Sequence, residues 1–319
     1  MDRPPGPHGM PRRPRPQPPL PPRDGLGAAR VRMPPEASWG SVVAFLVERT
    51  GDEDGIARRL AAGEIRLADG TRVDRGTAYR PGGVVHLYRE LPQEVPVPFE
   101  VDVLEHDEGT GLLVVDKPPF LATMPRGRHV AETVVVRLRR ALDLPEIAPV
   151  HRLDRLTSGV LLLTTRASAR AAYQQLVQAG GLRKTYEALA PARDDLDLPL
   201  TVRTRIVKER GSLQARSVAG EPDAVTHVEL LGERAGRGHY RLTPQTGRTH
   251  QLRVHLAGLG IPIDGDPLYP TVRPVDPDDL GTPLQLLAAG LSFVDPVTGQ
   301  DRDYASRRRL PISGVDGSA

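Results

Sequence analysis

The sequence contains no cysteine. Disulfide frameworks, thiolate metal sites and cysteine nucleophiles are therefore excluded, which fits a reducing cytoplasm. Long apolar runs are missing as well. Nothing approaches the roughly 18 to 20 residues needed to span a bilayer, and the first residues lack the hydrophobic core of a secretory leader. A soluble, unexported, cytoplasmic protein is expected. Neither G-x-G-x-x-G nor G-x-x-x-x-G-K-[ST] occurs, so dinucleotide-binding and P-loop readings have no support. A strong charge of one sign is also lacking: the net charge is only +3, although the pI is about 9.4. Arginine-rich patches are offset by acidic stretches, and the balance alone is a weak pointer to an anionic partner.

What is present suffices for two domains, since 319 residues with 39% apolar content allow a sizeable core. Residues 1–37 are dominated by proline, arginine and glycine, a composition that cannot offset its own ordering entropy and reads as a disordered basic arm. From Trp39 the texture changes. SVVAFLVERT and IARRLAAGE have helical spacing, and Ile65, Leu67 and Val73 alternate around Asp69-Gly70, a two-residue hairpin signal. VVHLYREL closes this unit as a strand. The module, residues 38–92, carries Arg58, Arg59, Arg66, Arg72, Arg75 and Arg80, and its order of elements resembles the small αL-type RNA-binding module. A proline-rich linker follows at 93–99. Beyond it, short strands alternate with a few helices, giving an α+β class with a mixed, largely antiparallel sheet and helices packed outside.

Two stretches carry the chemistry. In HRLDRLTSGVLLLTT, Asp154 sits between Arg152 and Arg155 before a hydrocarbon run that reads as a buried strand. A carboxylate flanked by guanidinium groups is expected to be ionised at neutral pH, suited to act as a nucleophile or an electrostatic anchor rather than as a general acid. Thr157, Ser158 and Gly159 supply the small residues of a sharp turn. A surface ion pair at a turn would give the same local pattern. In TPQTGRTHQLRVHLAGLGIPIDGDPLY, Thr249 can cap a helix whose Leu252, Leu256 and Leu259 follow 3.6 spacing, with Gly258 and Gly260 ending it. Gly247 and Arg248 then precede a helix N-terminus, where an anion is favoured. His250 and His255 lie about 140° apart around that helix and do not converge on a metal. Arg253 reads as a solvated helix charge. Lys117 precedes a double proline, and KTYEA contributes Lys184 and Tyr186, the latter by itself a common cross-strand packing residue.

Taken in order, DKPPF, HRLDRLTSGVLLLT, KTYEAL, TGRTHQLRVHLAGLGIPIDGDPLY and LSFVDPVTG resemble the RNA pseudouridine synthases of the RluA-like family, over about residues 100 to 305. The resemblance implies a catalytic domain at 100–312 followed by a tail at 313–319. It implies an isomerase that converts specific uridines of structured RNA to pseudouridine, with no cofactor and no metal. By motif position Asp154 is the catalytic aspartate, Tyr186 the aromatic beside the base, and Arg248 the cation pairing with Asp154. Arg152 is assigned to base flipping, and Val160 or Leu161 to an apolar wall. Lys117, Arg155, Lys184 and His250 join the RNA-contacting set, with Arg58, Arg59, Arg66 and Arg72 of the module.

The residues agree with this chemistry. Breaking a glycosidic bond builds positive charge on the sugar, which an ionised carboxylate stabilises or traps, while hydrolysis needs a second carboxylate that the motif does not supply. Whether Asp154 attacks the sugar, attacks the ring or takes a ribose proton stays open. Leu287 and Asp295 depart from the family pattern. Ribosomal RNA is preferred over transfer RNA as partner because of the extra module, and a monomer is expected. A non-catalytic RNA-binding protein of the same fold and a uracil-releasing RNA glycosylase are the rival readings.

Overall fold

The computed structural model describes residues 18–91, 93–274, 276 and 278–311. Residues 1–17 of the expected arm and the expected tail at 313–319 lie outside the described residues. The chain divides after Leu91 into two compact units.

In the first unit, Ser41 caps α1 (Val42–Thr50) by accepting from the Ala44 N–H at 3.1 Å, and Gly51 ends it with φ +67°. Asp52 caps α2 (Glu53–Ala61) through the Gly55 N–H at 2.8 Å. Both caps satisfy amides that the first turn leaves without partners. A three-stranded sheet pairs β1 (Ala29–Arg32) and β2 (Ile65–Leu67) on either side of β3 (Val84–Leu87). Val42, Phe45, Leu46, Ile56, Ile65 and Val85 form the buried core with Met33. The expected disorder through residue 37 therefore fails for residues 18–37: Ala29, Val31 and Met33 alternate, and the strand gains a ladder on β3. The hairpin is also a residue longer than expected. The Leu67 N–H donates to the Thr71 carbonyl at 2.9 Å, so Ala68, Asp69 and Gly70 form the loop, with Gly70 at φ +87°.

In the second unit, β4 (Asp102–Asp107), β5 (Leu112–Lys117), α3 (Val134–Leu142), β6 (Ala148–Pro149), β7 (Ser158–Thr164) and α4 (Ala167–Gln178) come first. Then follow β8 (Arg183–Pro191), β9 (Leu200–Val207), β10 (Arg216–Val218), β11 (Ala224–Arg234), β12 (Arg237–Pro244), α5 (Gln251–Gly258), β13 (Leu286–Val294) and β14 (Asp301–Ala305). They form one sheet in the order β10-β9-β11-β12-β8-β13-β7-β5-β4, with β14 on β13 and β6 on β7. Among the described strands only β13 and β7 run parallel, so the expected mixed, mostly antiparallel sheet is what forms. Residues 93–99 do not behave as a free linker. Val97 is buried, Arg137 donates to the Val97 and Phe99 carbonyls, and the Glu94 carboxylate accepts the Val130, Ala131 and Glu132 amides.

The hydrocarbon of β7 has a structural cause. Leu161 and Leu163 pack with Val134 and Leu138 of α3, while Val160 and Leu162 pack with Tyr173 of α4 and with Phe293. A strand covered on both faces needs apolar side chains throughout rather than alternation. Gly159 has φ +108°, and a Cβ there would lie 2.2 Å from the Ala288 carbonyl oxygen. Gly159→Ala is accordingly expected to destabilise the protein by about 3 kcal/mol or more, because both backbone conformation and the approach of β13 oppose the methyl group. Urea denaturation measures this, and a loss under about 1 kcal/mol would contradict it.

Candidate active site

The sheet register assembles the site. Ser158 of β7 pairs with Leu287 of β13, Leu287 with Glu187 of β8, and Leu242 of β12 with Tyr186. The loop entering β7 thus lies two strands from Tyr186, and α5, which follows β12, folds back beside it. That loop is pinned at several points. The Thr157 N–H donates to the Asp154 carbonyl at 3.1 Å, and Thr123 bridges Leu153 through its hydroxyl, donating to the carbonyl at 2.8 Å and accepting the amide at 3.2 Å. His151 accepts the Leu162 N–H on Nε2 at 3.2 Å. Burial pushes its imidazole down to about 3, so it acts as a neutral acceptor.

Asp154 is thereby presented with 37% of its side chain exposed, and its Oδ2 receives Nη1 of Arg253 at 3.3 Å. Arg253 is only 4% exposed and grips the fully buried Asp266 with two further donors, Nε and Nη2, each at 2.7 Å. Burial works against its charge, but the bonds and charge of Asp266, with help from Asp154, raise its affinity for the proton. Asp266 also accepts the Leu268 and Tyr269 amides at 2.8 and 3.2 Å, which leaves it committed to the fold. His250 stands on the other side of Asp154, with Nε2 3.8 Å from Oδ2 and Nδ1 2.9 Å from the Tyr269 hydroxyl. Tyr186 packs against the core with Leu156 close by, and burial together with the Asp154 charge raises its phenol well above the usual range, so it stays protonated.

Several expectations are corrected by this arrangement. Arg248 is not the partner of Asp154. Its side chain is 52% exposed and pairs with Asp223 at 3.2 Å, because α5 begins after His250, a left-handed cap at φ +58°, and not after Thr249. Arg253 is no solvated helix charge: Gln251 through Leu256 are all buried, and each polar side chain among them has partners. Lys117 cannot reach a phosphate. Its ammonium is buried and donates to the carbonyls of Pro118, Leu121 and Arg155 at 2.8, 2.8 and 3.1 Å, so it ties the Asp154 loop to the neighbouring turn. Burial lowers its basicity strongly, with the Asp154 charge working the other way. Val160 and Leu161 are buried inside β7 and line no open wall. Leu156 and Tyr186, by contrast, are only partly buried where they pack against the core.

Arg152 is exposed, and no ion pair holds it among the described residues. Arg155 is half-buried, with Nη1 3.5 Å from the Phe120 carbonyl. Lys184, opposite Leu291, is partly buried, and burial lowers its basicity. In the first unit Arg59 is buried on Asp52, Arg66 donates to the Gly63 and Gly70 carbonyls, and Arg72 donates to the Leu60 and Ala61 carbonyls at the end of α2. These three serve the fold; Arg58 makes an exposed pair with Glu90 at 2.6 Å, and Arg30, Arg32 and Arg75 are exposed without an ion pair among the described residues. Asp295 is buried, accepts the Tyr173 hydroxyl at 3.1 Å and forms an ion pair with Arg302 at 3.3 Å. No group of three potential metal ligands occurs among the described residues.

The residues that sequence reasoning missed are Arg253, Asp266 and Tyr269. The apolar neighbours Leu252, Val254 and Leu256 on several sides of Arg253 were the available signal for a helix without a solvent face.

The chain resembles known proteins in sequence and in fold. A family model described as RNA pseudouridylate synthase matches residues 111–258. An RNA pseudouridine synthase of Synechocystis, itself uncharacterized, is 32% identical over 216 residues, 66% of this chain and 72% of its own length. Ribosomal large subunit pseudouridine synthase D of Yersinia pestis is 30% identical over 71% of this chain and 67% of its own. Among solved structures, human RNA pseudouridylate synthase domain containing 1 superposes with a TM-score of 0.54 at 23% identity, covering 68% of this chain and 86% of its own, a likeness of fold.

Proposed function

The chain belongs to the RNA pseudouridine synthases of the RluA-like family, isomerases acting on RNA, and from that premise we propose that it modifies uridines of structured ribosomal RNA, with Asp154 acting on the ribose of a flipped nucleotide. The ribosomal preference draws on the relatives named as large-subunit enzymes. The observation that carries the role of Asp154 is its half-exposed carboxylate backed by a buried guanidinium. A carboxylate presented in this way can stabilise or trap the positive charge that develops on the sugar. The other carboxylate of the cluster, Asp266, has both oxygens occupied and no exposure, so it has no free acceptor for activating water. A base released at this site is kept and rejoined rather than lost.

A stacked base is out of reach, so the nucleotide is extruded at a cost of a few kcal/mol, with Arg152 filling the vacated stack. Tyr186 and Leu156 offer the uracil its apolar surface. Arg155, Lys184 and the exposed arginines of the first unit take phosphates, which makes binding strongly salt-dependent. The protein works as a monomer without cofactor in the cytoplasm.

The test is to incubate purified protein with total RNA from cells lacking it and to map pseudouridine by carbodiimide-stop sequencing. New stops in ribosomal RNA are expected. New stops confined to transfer RNA would overturn the substrate, abasic sites would turn the reading to a glycosylase, and no change would leave a binding protein.

A further inference from the structure

The geometry points to His250 as a catalytic residue, the acceptor that takes the proton from uracil C5 on its Nε2; this rests on the reading of Asp154 given above. One assignment of hydrogens gives every polar atom around the ring a partner of the right kind. The Tyr269 hydroxyl accepts the Ala215 N–H at 2.7 Å and donates to the Ala215 carbonyl at 3.0 Å, which uses its single proton. With that proton assigned to the Ala215 carbonyl, the remaining lone pair of the hydroxyl accepts from His250 Nδ1 at 2.9 Å, and Nε2 is left with a free lone pair.

That lone pair is aimed into the site. Nε2 lies 3.8 Å from Asp154 Oδ2, too far for a direct hydrogen bond and close enough for a reacting group to lie against both. The ring is 12% exposed, set edge-on to Tyr269, and carried by a non-glycine residue at φ +58°. A left-handed cap of this kind is costly and clusters at functional sites. The groups facing the ring are Asp154 from the loop before β7, Arg253 from its own helix, Lys208 at the end of β9, and Asp266 and Tyr269 from the turn after α5. Burial lowers its basicity, with Asp154 opposing and Arg253 and Lys208 assisting, so the imidazole is neutral and able to accept a proton.

The isomerisation needs such a group. Once the N1–C1′ bond has broken with its electron pair on the base, C5 attacks C1′ and becomes tetrahedral while still bearing its hydrogen, and N1 becomes doubly bonded to C6. Removal of that hydrogen as a proton by Nε2 returns its electron pair to the C5–C6 double bond and leaves a pair on N1. N1 then takes one proton, from the imidazolium or from water, and the product has the atoms and charge of the starting uridine. Because C5 is by then bonded to C1′, its hydrogen lies beside whatever group served the sugar, and that group is Asp154.

The experiment uses total RNA from cells lacking the protein, grown on uracil or on 5-deuterouracil, with wild type, His250→Ala and His250→Asn. The asparagine retains a donor for the Tyr269 hydroxyl and guards against misfolding of the alanine variant. Both variants are expected to lose about 100-fold or more in kcat with KM nearly unchanged. Both should also show a C5 deuterium isotope effect several-fold larger than the wild type's, and free imidazole should partly restore His250→Ala. A kcat within about threefold of wild type in the asparagine variant, or a loss with no added isotope effect, would overturn the proposal. Failure of the underlying reading is separate, since it would appear as absence of pseudouridine with the wild-type protein.

Discussion

Asp154→Asn is expected to abolish pseudouridine formation while leaving the protein folded and bound to RNA. The side chain is 37% exposed, and the hydrogen bond that shapes its turn runs from the Thr157 N–H to the Asp154 backbone carbonyl, which the substitution does not touch. Stability should therefore change by no more than about 1 kcal/mol. The amide retains an oxygen for Arg253 Nη1 but loses the negative charge that would stabilise or trap the sugar. Loss of a group acting as nucleophile or charge stabiliser costs on the order of 10⁴-fold or more in kcat. RNA affinity, supplied by phosphate contacts elsewhere, should stay nearly unchanged at fixed ionic strength. Product is read by carbodiimide mapping and affinity by filter binding on the same RNA. Substantial surviving activity would show that Asp154 is a surface anchor, and a collapse of RNA affinity would show that it acts in binding rather than in the chemical step.

The parts of this molecule that were legible in the sequence are those fixed by local pattern. The hydrocarbon of β7 and the small residues at its entrance translated into the observed elements, because burial on both faces of a central strand leaves little latitude in composition. Partner choice was not legible. Arg248 and Arg253 stand five residues apart, and only the tertiary position of α5 decides which of them meets Asp154. Its apolar stripe, Leu252 and Leu256, implied a solvated opposite face, yet polar residues there are buried against partners drawn from β9, β11 and the 266–269 turn. Lys117 failed for a related reason. A lysine at a strand end reads as a surface cation unless the three carbonyls that surround it are known. In the arm, proline and arginine composition masked the period-two signal of Ala29, Val31 and Met33.

Asp266→Asn should be nearly as damaging to activity as Asp154→Asn, and unlike it should also cost stability. Arg253 is held by three hydrogen bonds, two of them to Asp266, and it is 4% exposed. An asparagine presents an NH₂ to one of those donors and removes the charge that balances a buried guanidinium. Breaking a buried pair from one side costs about 3 to 5 kcal/mol, because the remaining charge is left without compensation. Arg253 would then be free to shift onto Asp154 or towards solvent, and the carboxylate would no longer be held in place. The double variant Arg253→Met/Asp266→Asn separates the two effects. It removes the stranded charge with a side chain of similar volume, and the asparagine oxygen still accepts the Leu268 and Tyr269 amides that shape the turn. Urea denaturation should show the double variant recovering most of the lost stability, while pseudouridine formation stays at least about 10²-fold below wild type. Recovery of activity along with stability would mean that the buried pair serves the fold alone and that Asp154 needs no guanidinium behind it.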